Sequence, residues 1–175
     1  MNTTLAIPQV LHAFNIYDKG NVARGISGDV GLPNFEAMTE TVSGPGIAGE
    51  IEAPILGFFN SMELELPWAV IYGDFYKTLE FQKNAELMLR GSVQVENRSN
   101  GALEETACRL VFRGKTKKVE LGNATQGGKN ENKTTYEITY LKLEEAGETK
   151  VELDKENFVF NVNGTDLLAE VRKNI

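Results

Sequence analysis

Residues 61–66 read Ser-Met-Glu-Leu-Glu-Leu, a strict alternation of apolar and acidic side chains. Successive side chains of a β-strand point to opposite faces, so the methionine and the two leucines share one face while Glu63 and Glu65 lie on the other. This pattern predicts a strand that is buried on one face and solvated on the other.

Four longer segments have the same character, because they are rich in Val, Ile, Leu, Thr, Tyr and Phe. They span residues 86–96, 105–121, 133–145 and 149–162. Turn-forming sequences separate them, such as Asn-Arg-Ser-Asn-Gly before the second segment and Ala-Gly before the fourth. We therefore predict one mainly β domain over residues 1–175, an antiparallel barrel or sandwich.

Helical patterns are confined to two places. Proline suits the first turn of a helix, and apolar residues follow Pro67 at helical spacing, so we predict an α-helix from Pro67 that packs on the sheet. Its apolar stripe consists of Trp68, Ile71, Tyr72, Phe75 and Leu79. A second, short helix is predicted within residues 165–174.

Residues 30–61 contain three of the five prolines and five glycines but keep β-compatible stretches at 36–42 and 50–55. We interpret this segment as a long hairpin arm with a glycine-rich tip at 43–49. An isolated arm would leave strand edges and apolar side chains uncovered, so it is predicted to contact a neighbouring subunit. The contact residues predicted are Gly44, Gly46, Gly49, Ile55, Phe58 and Phe59.

Composition limits the possible functions. The chain has 175 residues, a net charge of -7 and a pI near 4.9. Tight nucleic-acid binding needs clustered cations, so this balance disfavours it. The apolar stretches are too short to span a bilayer, and the first basic residue is Lys19, so neither a membrane span nor a secretion signal is predicted.

The chemistry-bearing motifs are weak. The Gly-x-Gly-x-x-Gly pattern of the arm tip neither opens a helix nor follows a nucleotide-binding strand, since Pro54 would break such a helix at once. His12, the one histidine, is interpreted as structural and Cys108, the one cysteine, as a small buried residue. The sequence therefore predicts no catalytic, cofactor or metal site, with a carboxylate-pair enzyme as the remaining enzymatic alternative.

Positive charge is concentrated in residues 113–118, Arg-Gly-Lys-Thr-Lys-Lys. Aromatic residues do not interleave with it as they do in single-strand binding platforms. Two interpretations remain open. The cluster could meet acidic groups of a neighbouring subunit, or it could protect an edge strand from aggregation.

Several short sequence segments, in a fixed order along the chain, resemble those of a known family. They are Gly44, Gly46 and Gly49; residues 62–65; residues 112–115 and 126–127; residues 139–143; and residues 162–168 with Arg172 and Ile175. On these pieces the sequence resembles the major tail tube proteins of P2-like contractile phages, over nearly its whole length.

The resemblance implies a non-enzymatic subunit of which six copies form a ring, with rings stacked into the hollow inner tube of a contractile tail. It also implies sheath, baseplate and tape-measure proteins as partners, and DNA passing through the lumen without specific binding. A virion or phage-like particle assembled in the bacterial cytoplasm is the expected location.

The excess of carboxylates suits a lumen that repels phosphates, so Glu63 and Glu65 are the lumen candidates. The tube of a tailocin or another contractile injection system is an alternative of the same class. A monomeric β-sandwich module that binds a ligand such as carbohydrate is the alternative of a different class.

Overall fold

The computed structural model describes residues 6–175, and these form an antiparallel β-structure with little helix. The elements in chain order are β1 (Ala6–Asp18), β2 (Asn21–Val22), β3 (Ala37–Val42), β4 (Ile51–Phe59), β5 (Glu63–Trp68), a 3-10 helix (Gly73–Leu79), β6 (Asn84–Asn97), β7 (Ala102–Glu120), β8 (Asn132–Glu145), β9 (Glu148–Asp154), β10 (Val159–Val162), β11 (Thr165–Asp166) and α1 (Ala169–Asn174).

The main sheet runs in the order β11-β10-β9-β8-β7-β6-β1-β2, and β3 and β4 form a separate hairpin. Strand β8 pairs with β7 along one edge, but its other edge is divided between two partners. Residues 132–137 pair with β5, whereas residues 140–145 pair with β9. The sheet is therefore sandwich-like rather than a closed barrel.

The core lies where β5 faces the main sheet. Met62, Leu64 and Leu66 are each about 1% exposed, which confirms the alternation predicted for this strand. Their apolar partners come from β1, β6, β7, β8 and β9 and from the 3-10 helix. These are Ile16, Leu87, Leu89, Phe112, Tyr136, Ile138, Leu141, Leu153 and Phe75.

The α-helix predicted from Pro67 is wrong. Pro67 and Trp68 are the last residues of β5, and the indole of Trp68 is buried and donates from Nε1 to Thr134 Oγ1 at 3.2 Å. A 3-10 helix follows at Gly73–Leu79, in which Phe75 is buried and Leu79 is exposed. Trp68 continues the alternation of β5 and is buried there, and this burial is more favourable than the apolar stripe that an α-helix would form.

Both ends of the chain also differ from the sequence-based expectations. Strand β1, thirteen residues long, was not predicted. The segment 149–162 is two strands, β9 and β10, and the C-terminal helix is shorter than predicted because Thr165–Asp166 form β11. Within residues 6–175 we find no helix with the length and apolarity needed to cross a membrane.

The register of β7 against β8 shifts at Gly114. A Cβ at this position would lie 2.0 Å from the carbonyl oxygen of Glu137, so the backbones approach more closely than any side chain allows.

We expect Gly114→Ala to lower the free energy of unfolding by about 2 kcal/mol or more, as overpacking does elsewhere. Gly128→Ala is the matched control, because its Cβ would come no closer than 3.2 Å to Thr125 in an exposed loop. Urea denaturation of both variants measures the difference, and equal midpoints would contradict the close approach.

Candidate assembly surfaces

The predicted arm is present as the hairpin of β3 and β4, paired from Val42↔Ile51 to Ala37↔Phe59. Its tip is open, since a Cβ at Gly44, Gly46 or Gly49 would meet nothing within 4 Å. Gly46 and Gly49 have φ angles of 96° and 117°, a region that glycine tolerates best.

Large apolar side chains of the arm are exposed to solvent. They are Met38, Val42, Ile51, Ile55, Leu56 and Phe58. A cluster of this size on one hairpin is typical of a surface that another molecule covers. Two of the predicted contact residues, Ile55 and Phe58, belong to it.

Phe59 lies in a different environment. It is partly buried and packs against the chain's own core, with its ring centroid 5.6 Å from that of Phe35 and 5.1 Å from that of Phe160. Phe59 therefore belongs to the body of the domain, and the free part of the arm ends before it.

The C-terminal segment holds the base of the arm. Leu168 is 2% exposed and fills the space beside Gly57, where a Cβ would lie 2.5 Å from Leu168 Cδ1. Phe58 contacts Phe158 edge to face. Arg172 donates to the carbonyl of Phe158 at 2.8 Å and pairs with Asp166, so α1 is tied to the same place.

The arm is also purely acidic. No Lys or Arg occurs between Arg24 and Lys77, whereas Glu36, Glu40, Glu50 and Glu52 lie on or beside the hairpin.

Glu63 and Glu65 point away from the core, as predicted, but lysines neutralise them. Lys117 Nζ lies 2.6 Å from Glu63, and Lys133 Nζ lies 3.0 Å from Glu65. The hydrogen bond to Glu63 raises the pKa of Lys117, and that to Glu65 raises the pKa of Lys133, so both lysines stay charged at neutral pH. The surface around these glutamates is less negative than the sequence alone indicates.

Residues 113–115 lie in the interior of the sheet, because β7 pairs there with both β6 and β8, whereas β7 beyond Lys115 pairs with β8 alone. Lys117 and Lys118 therefore lie on an edge, and both interpretations of the cluster stay predictions. Arg113 stacks over the ring of Tyr140 at 3.8 Å, and Lys118 pairs with Glu120. Arg113 and Lys118 of this cluster therefore have partners within the chain.

The one histidine and the one cysteine also differ from expectation. The side chain of His12 is 63% exposed on β1 and pairs with Glu105 at 2.8 Å rather than lying in an apolar site. Cys108 is half-buried on β7, opposite Gly91. Among residues 6–175, no group of three or more His, Cys, Asp or Glu side chains is arranged to hold a metal ion.

Comparison with known proteins gives a match along nearly the whole chain. The profile of the family described as phage tail tube protein FII matches residues 8–175. The chain belongs to this tail tube family. The tail tube protein of Escherichia phage P2 is 28% identical over 178 residues, a match that covers 98% of this chain and 99% of the P2 protein.

Membership confirms the family resemblance and the structural, non-enzymatic class predicted from the sequence. This tail tube protein has the exposed hairpin that the sequence predicted. The sequence-based search missed β1 and the apolar side chains that it adds to the surface. A count of apolar residues in 7–16 would have drawn attention to this strand.

The base of the arm can be tested with two glycines of similar conformation. Gly57 and Gly46 both have positive φ angles, 77° and 96°, but only Gly57 touches Leu168. We expect Gly57→Ala to lower the stability of the subunit by about 1–3 kcal/mol more than Gly46→Ala does, because overpacking adds to backbone strain.

Thermal melting of the two variants measures this difference, and limited proteolysis reports whether the arm is released. If Gly57→Ala melts at the same temperature as Gly46→Ala and resists protease equally, the C-terminal segment does not hold the arm.

Proposed function

We propose that this chain is the subunit of the hollow inner tube of a contractile phage tail, in which six copies form a ring and the rings stack. The single observation that carries this is the family match over residues 8–175. The arm supports it, because a tube needs contacts between copies and the hairpin presents uncovered apolar side chains.

Ring closure and stacking require two kinds of contact between identical subunits. A closed ring needs a head-to-tail contact in which different patches meet, and stacking needs a second contact along the axis. Obligate assemblies commonly bury about 2,000 Å² or more, which a short strand edge cannot supply. The arm, including the tip glycines Gly44, Gly46 and Gly49, is suited to one or both contacts.

Within such a tube the lumen is the conduit for DNA. A net charge of -7 per subunit keeps phosphates from binding the wall, so DNA can slide during ejection. Tail sheath, baseplate and tape-measure proteins are the further partners proposed, in a virion assembled in the bacterial cytoplasm. The tube of a tailocin has the same physical requirements apart from the DNA.

The role of the arm is tested by replacing residues 38–55 with a short Gly-Ser linker, which leaves Phe59 and Gly57 in the body. We expect a folded subunit, because the core residues lie outside this segment, and a loss of rings and tubes in electron micrographs. Circular dichroism is the control for folding. Normal tubes from the shortened chain would show that the arm is dispensable.

The lumen candidates are tested in the assembled tube. We expect Glu63 and Glu65 to face the central channel, with Lys117 and Lys133 beside them, in a cryo-electron microscopy map of tubes. If both carboxylates lie on the outer wall or between subunits, these residues are not the lumen lining.

A further inference from the structure

Strands β1, β6 and β7 extend beyond the core as a three-stranded projection, formed by residues 6–14, 91–97 and 102–108. Side chains opposite each other in antiparallel strands share a face. Leu87 and Leu89 point into the core, so the odd-numbered residues of β6 continue the core-side face into the projection.

The part of this core-side face next to the core is apolar and uncovered, whereas Asn97 donates to Glu104 on the same face nearer the tip. Val93 lies on it opposite Leu11, and Gly91 lies on it between Phe14 and Cys108. Leu11 and Phe14 are 48% and 37% exposed within the described part of the chain. The side chains of Leu11 and Cys108 come together over Gly91, because a Cβ at Gly91 would lie 2.8 Å from Leu11 Cδ1 and 2.9 Å from Cys108 Sγ.

The opposite face of the projection is mixed, with the exposed side chains of Ile7, Val10 and Leu103 beside a hydrogen-bonded polar set. In that set Gln94 donates to Gln9 at 2.7 Å, and Gln9 donates to Glu96 at 2.8 Å. The core-side face differs because it directly continues the apolar core beyond β5.

The arm is amphipathic in the same way. Its register places Val42 opposite Ile51 and Glu40 opposite Ala53, with Met38 on the same side. The reverse side carries polar residues such as Thr41 and its opposite residue Glu52.

The arm of the same chain is not placed to cover the projection. Its base is held by β10 and α1 through Phe158, Phe160 and Leu168. Both apolar faces stay exposed in the subunit, as the side chains of Val42, Ile51 and Leu11 show. Two different apolar faces on one subunit are the requirement for a head-to-tail contact.

We propose that the apolar face of the arm in one copy packs on the apolar face of the projection in another copy, as two sheets of a sandwich pack. The proposal rests on the proposed assembly of this chain into a tube. It assigns Met38, Val42 and Ile51 on one subunit to contact Leu11, Phe14 and Val93 on another, with Cys108 at the contact.

Because Cys108 is the one cysteine of the chain, a thiol reagent labels or crosslinks the wild-type protein at this position alone. Tubes of Val42→Cys and of Ile51→Cys, treated with a short bismaleimide, are expected to give a ladder of covalent multimers on a denaturing gel. Thr41→Cys and Glu52→Cys, on the reverse side of the arm, are the matched controls and should give no ladder. Adding Cys108→Ser to Ile51→Cys should abolish it.

Wild-type tubes give a second measurement that needs no arm variant. We expect the reaction of Cys108 with a maleimide to slow by about tenfold or more between free subunits and tubes, because assembly would cover the thiol. Tubes in which Cys108 reacts as fast as in free subunits would overturn the proposed contact.

The outcomes separate the two proposals. Tubes seen by electron microscopy without a Cys108-dependent ladder from either arm position refute this contact and leave the tube function intact. Ladders of equal strength from Thr41→Cys also refute it. A wild-type chain that forms neither rings nor tubes would refute the tube assembly and the contact with it.

Discussion

The divided edge of β8 is the constraint on which the rest of the structure depends. Because β8 pairs with β5 in its first half and with β9 in its second, both strands are fixed beside it and both contribute side chains to one core. The close approach at Gly114 accompanies the register shift between β7 and β8. Burial of Met62, Leu64 and Leu66 follows from this geometry, since it creates the space that they fill.

The same constraint explains why the subunit is incomplete alone. Strand β5 is six residues long, but β6 and β7 have fourteen and nineteen, so the covering layer cannot extend over the whole of them. The far ends of the long strands keep an apolar face without a second layer. The hairpin of β3 and β4 is a separate two-stranded sheet that is held at its base and is free elsewhere.

The sequence predicted strands where alternation is strict and failed where it is interrupted. The strands around Leu64 and Tyr136 were found because their buried and exposed residues alternate, and the arm because glycine and proline mark its tip. Strand β1 was missed because bulges near Gln9 and His12 break its alternation. The helix at Pro67 was wrongly predicted because aromatic spacing cannot show that Trp68 ends a strand. The uncovered face depends on which long strands lie side by side, and one sequence does not determine that.

The absence of basic residues from the arm has a kinetic consequence. Each hairpin carries Glu40 on its apolar face, and the projection carries Glu104, so two copies that approach through these faces meet like charges before their apolar groups touch. Repulsion of this kind acts over about 10 Å at moderate ionic strength and raises the barrier to encounter without removing the apolar gain at contact. Encounters through these faces would then be slow at low ionic strength, and added salt would speed them.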